Sequence, residues 1–133
     1  MPISDEYLVS YLLQETRRET VRWRCARDEG GVGYTARMNG VLLKLERIES
    51  TTESRLWLRL ESEEGSALVA EPLGRGLWGR RYGSDTERAL ADCLQRLEQA
   101  VAAQSRRRAQ AAADPERREA LFRRIVMAGP AAE

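Results

Sequence analysis

The spacing of apolar positions along the chain changes twice, from helical to strand-like near residue 20 and back to helical after residue 84. Ser4 is a good N-cap, and Asp5 and Glu6 follow it where a helix dipole favours acids. Apolar residues then recur at Tyr7, Leu8, Tyr11 and Leu12, with Arg17 and Arg18 in the last turn. The spacing predicts a helix over residues 5–17.

From residue 20 the period becomes 2: Val21, Trp23 and Cys25 alternate with Arg22 and Arg24. Beyond the glycine turn "DEGGVG", Tyr34, Ala36 and Met38 alternate with Thr35 and Arg37, and Asn39-Gly40 joins this run to Val41, Leu43 and Leu45. Asn-Gly suits the two positive-φ positions of a type I′ turn, so a tight hairpin is predicted here. "ESTTES" forms a turn, "RLWLRL" alternates through Leu56, Leu58 and Leu60, and "SEEG" leads into "SALVAEP". Five strands joined by short links over residues 20–71 can only form an antiparallel meander, with its apolar residues on one face.

That face needs a cover. Ser84 can cap a helix, Asp85 and Glu87 suit its first turn, and Leu90, Cys93, Leu94, Leu97, Ala100 and Val101 form an apolar stripe over residues 84–110. Asp114-Pro115 caps a second helix carrying Leu121, Phe122, Ile125 and Val126, which Gly129-Pro130 ends. The expectation is one α+β domain over residues 1–133: an N-terminal helix, a five-stranded meander, a glycine- and arginine-rich crossover at 72–83, and a helical region at 84–128. The long and short C-terminal helices are expected to pack on one sheet face.

Composition narrows the chemistry. Histidine is absent from the 133 residues, which removes the commonest general base and metal ligand. Cys25 and Cys93 lie far apart, match no metal-ligand spacing, and are expected to be reduced and buried. The acids fall mostly in turns and first turns of helices, so no carboxylate pair is placed for catalysis. No enzyme activity, cofactor or metal is expected. No run approaches the ~18 apolar residues of a membrane span, and the acidic start "MPISDEY" does not resemble a secretory signal, so a cytoplasmic location is expected. Of 22 basic residues all but Lys44 are arginine, a skew that fits bidentate anion contacts but also follows from a GC-rich coding sequence.

Residues 74–79 of "GRGLWGRRYG" spell G-x-G-x-x-G. In a dinucleotide fingerprint the helix begins inside the glycine turn, and a second strand ends in an acid about twenty residues on. Here the cap, Ser84, comes after Gly79, Glu98 falls within the helix, and no strand follows. The stretch reads as a sheet-to-helix crossover whose Arg75, Trp78, Arg80, Arg81 and Tyr82 form an arginine–aromatic cluster suited to a protein partner or a phosphate.

Strand alternation puts Arg22, Arg24, Arg37, Lys44, Arg55 and Arg59 on the outer sheet face with Trp57, against Glu46 and Glu61. Charge along strands and an exposed aromatic ring are how single-strand nucleic-acid binders work, although a net charge of +1 gives no long-range pull on a polyanion. The C-terminal ridge of Leu121, Phe122, Ile125 and Val126 must be buried on its own domain, on a second copy, or in a partner's groove. The leading expectation is a non-enzymatic interaction or regulatory module whose partner is another protein or a second copy of itself. It would engage that partner through Arg75, Trp78, Arg80, Arg81 and Tyr82 together with Leu121, Phe122 and Ile125. The alternative is a nucleic-acid binder using Arg22, Arg24, Arg37, Arg55, Trp57 and Arg59.

Overall fold

The side chain of Ser4 accepts the Tyr7 N–H at 3.1 Å and starts helix α1 (Asp5–Arg17), as its sequence predicts. The structure is a computed structural model and describes residues 2–28, 31–49, 54–72 and 84–128. The end of α1 is a Schellman motif, with the Thr20 N–H on the Glu15 carbonyl and the Glu19 N–H on the Thr16 carbonyl. Its left-handed position, φ 63°, is held by Glu19 rather than by glycine.

Strands β1 (Arg24–Asp28), β2 (Gly31–Met38), β3 (Val41–Glu49), β4 (Ser54–Ser62) and β5 (Gly65–Ala70) pair antiparallel in sequence order. This is the meander that the short links require. The Asn39-Gly40 hairpin has φ 52° and 80° at its two central residues and sets Met38 opposite Val41, in the I′ geometry. Helix α2 (Asp85–Ala113) starts where the Ser84 hydroxyl accepts the Glu87 N–H at 3.1 Å. Helix α3 (Pro115–Ala128) starts after Asp114, whose carboxylate accepts the Glu116 N–H at 3.0 Å.

The core lies between the sheet and the α1–α2 pair. Leu43, Leu45, Leu56, Leu58 and Val69 meet Val9, Leu12 and Leu13 of α1 and Leu94, Leu97 and Val101 of α2. Each such side chain contributes about 1.5–3 kcal/mol by leaving water. Polar ties fasten the layers at the margin. Arg47 of β3 donates from both Nε, at 2.8 Å, and Nη2 to the Glu98 carboxylate of α2, and this pairing raises the guanidinium pKa further. Glu71 is buried beyond β5, where its carboxylate accepts the Leu56 N–H at 3.3 Å and the Gln95 amide at 3.1 Å.

Four sequence expectations change. The first strand begins at Arg24 rather than at residue 20, because the backbone of Val21 and Trp23 bonds to a side chain of α2 instead of to β2. Cys25 is exposed, since β1 is an edge strand covered on one side only, and Cys93 is only partly buried. On α1 the buried set is Val9, Leu12, Leu13 and Thr16, while Tyr7 and Tyr11, which tolerate a wet rim, stay 63% and 41% exposed. Finally, α3 does not join α2 on the sheet: residues 115–127 are all exposed.

Candidate functional site

Gln104, 99% buried on α2, sets the geometry of the most distinctive surface feature. Its Oε1 accepts the Trp23 N–H at 2.8 Å, and its Nε2 donates to the Val21 carbonyl at 2.7 Å and the Thr16 carbonyl at 3.3 Å. The Trp23 indole N–H donates to the Thr16 hydroxyl at 3.0 Å. One side-chain amide thus stands in for a neighbouring strand, so the segment before β1 is drawn toward α2 and the ladder with β2 ends at the Arg24–Thr35 pair.

Where the two backbones part, a groove of about 590 Å³ opens. Thr20, Arg22 and Arg24 line it from the segment entering β1, Thr35, Ala36 and Arg37 from β2, Leu42 from β3 and Arg108 from α2. With Val21 and Trp23 both buried, alternation turns the intervening Arg22 and the following Arg24 outward. Arg108 is aimed by a 3.0 Å bond from Nη1 to the Trp23 carbonyl. None of the described residues lining the groove is acidic, and Arg22, Arg24 and Arg37 have no carboxylate within salt-bridge distance among the described residues.

The outer-face set therefore divides. Arg22, Arg24 and Arg37 meet at the groove, whereas Arg55 donates from Nε to the Glu71 carbonyl at 2.7 Å, and Lys44 pairs with Glu61 at 3.4 Å. Trp57 is half-buried beneath Arg59, whose guanidinium lies 5.9 Å from the ring centroid, and its buried indole N–H has no hydrogen-bond partner among the described residues. The half-burial and the Arg59 contact leave less free ring face for a stacked base. Arg108, from the C-terminal half of α2, joins the groove. Gln104 was missed altogether, although it extends the buried series Leu94, Leu97 and Val101 by the next helical step, where a polar residue must find partners.

The second candidate surface is α3. Leu121 and Phe122 are each 50% exposed, and Ile125, Val126 and Met127 are 72–84% exposed. Arg118 stacks over the Phe122 ring at 5.1 Å and Arg123 pairs with Glu119 at 3.0 Å, so the helix orders its own charges. The cluster Arg75, Trp78, Arg80, Arg81 and Tyr82 lies outside the described residues. Among the described residues no helix is long and apolar enough to cross a membrane. Compared with protein-family models, curated proteins and solved structures, the chain matches none.

Proposed function

We propose that the chain is a non-enzymatic, cytoplasmic protein-interaction or regulatory module that docks through α3, with a second copy of itself as its simplest partner. The exposed ridge from Leu121 to Met127 carries this reading. A helix of 14 residues is marginal in water by itself, and one that leaves five large apolar residues to solvent gains its stability by burying them against another surface. A second set of apolar residues is exposed near the start of the sequence, with Ile3 just before α1 and Tyr7 and Tyr11 one turn apart along it. Arg75, Trp78, Arg80, Arg81 and Tyr82 belong to the same reading through their sequence chemistry alone.

The reactive side chains support a non-enzymatic role. Glu71 and Glu98 are engaged in fastening the sheet to α2, and burial raises the Cys93 thiol pKa, which disfavours the thiolate a nucleophile needs. Light scattering of the full chain and of Leu121→Glu/Ile125→Glu tests the docking helix. The expected result is a mass above the monomer that falls to the monomer in the variant. Monomers in both would end self-association. A photocrosslinker at Phe122 that then captures no protein in the native host would end the interaction reading itself.

A further inference from the structure

The geometry points to the groove between β1, β2 and the C-terminal half of α2 as a binding site for a compact polyanion carrying two or more phosphate groups in a chain. Arg22, Arg24, Arg37 and Arg108 converge there with no acid among the described lining residues, in a chain whose 21 acids nearly equal its 22 bases. Such a chain has carboxylates enough to neutralise the cluster, and in a second arginine-lined depression it pairs two of the three described lining arginines with acids. The depression between α1 and α2, about 520 Å³, also gathers arginines, but there Glu19 meets Arg107 at 3.3 Å, and Arg96 is held by Asp92 at 3.1 Å.

Guanidinium groups match oxyanions with two parallel N–H bonds, which lysine cannot do. Arg108 spends one donor on the Trp23 carbonyl, leaving most of its five for a ligand. The Gln104 amide holds the backbone beneath Arg22 and Arg24, so these side chains spring from a fixed base, and the Thr35 hydroxyl adds a donor between Arg24 and Arg37. Several cations around one opening call for several negative charges close together. A single phosphate would leave part of the cluster unanswered. An extended strand would run onward over Lys44, already paired with Glu61, and over Trp57, already covered by Arg59.

Titration calorimetry with inorganic tripolyphosphate, at low and moderate salt, tests the assignment. Tripolyphosphate is expected to bind with an affinity that falls as salt rises, and a nucleoside triphosphate is expected to bind comparably, since the phosphate chain is what the groove recognises. Arg24→Gln/Arg37→Gln should weaken binding by about tenfold or more, the size of losing charge-assisted hydrogen bonds. Arg117→Gln/Arg124→Gln removes the same charge from α3 and should leave affinity unchanged. Absence of tripolyphosphate binding at low salt overturns the proposal, and so does an equal loss in both double variants. Tighter binding of a single-stranded oligonucleotide through the same arginines would assign the groove to nucleic acid instead. None of these readouts depends on whether α3 docks on a partner.

Discussion

Arginine does different things on the two C-terminal helices. Near the end of α2, Arg108 joins Arg22, Arg24 and Arg37 over a backbone that a buried amide holds in place, with no acid among the described residues lining the opening. On α3, Arg123 pairs with Glu119 one turn away and Arg118 lies over Phe122, so those cations cover and solubilise an apolar ridge. Residue type and abundance are the same in the two places. What separates them is whether the backbone below is anchored to the core and whether the cations line one opening.

The largest effect that can break this contrast lies in the anchor. Gln104→Leu keeps the side chain's size but leaves the Trp23 N–H and the Val21 carbonyl without their partner in the interior. Each orphaned group costs roughly 1–3 kcal/mol, so urea unfolding should show a loss of about 2–4 kcal/mol. Tripolyphosphate affinity should fall with it. In the monomer, at protein concentrations below any self-association, Leu121→Ala on α3 is expected to cost less than about 0.5 kcal/mol in the same experiment, because that residue is half-exposed and outside the core cluster. Comparable losses would mean that α3 is as firmly integrated as the anchor, which would remove the distinction between the regions.

Much of the fold was legible because its signals are local. Ser4, Ser84 and Asp114 cap the helices through hydrogen bonds spanning two or three residues, and Asn39-Gly40 needs only its own φ angles. The groove was not legible as a unit. It depends on Gln104 reaching a residue 81 positions earlier, and that contact ends the first strand short and turns a run of alternating residues into a wall. Arg22, Arg24 and Arg37 could be placed together by period alone. The addition of Arg108, and the removal of Arg55 to the Glu71 carbonyl, are tertiary facts. The α1 face was misread for a related reason: Tyr7 and Tyr11 share its helical period but end on the rim, and packing against α2 selects Val9 and Leu13.

A smaller effect separates Arg108 from Arg123. Arg108→Ala removes a partly buried bond to the Trp23 carbonyl, worth about 1 kcal/mol. Arg123→Ala breaks an exposed i,i+4 pair, worth about 0.3–0.5 kcal/mol at low salt and less when screened. Paired unfolding curves at two salt concentrations measure both. If the Arg108 loss disappeared in salt, its role would be that of a surface charge like the other.

The last effect has the opposite sign and acts at the turn that ends α1, one residue before the groove begins at Thr20. Glu19 occupies the left-handed position that ends α1, where φ is 63° and a Cβ costs about 1–2 kcal/mol. Glycine relieves that cost but brings about 0.5–1 kcal/mol of added chain entropy in the unfolded state. The substitution also loses the exposed pair with Arg107, which contributes a few tenths of a kcal/mol. Glu19→Gly should therefore stabilise the protein by about 0.5 kcal/mol in urea, with an unchanged slope. Tripolyphosphate affinity should stay the same, because Glu19 is not among the residues lining the groove, whereas its neighbour Thr20 is. A destabilised variant would show that the Glu19–Arg107 pair outweighs the backbone strain, and would make the α1–α2 depression, not the Schellman turn, the feature that holds this corner together.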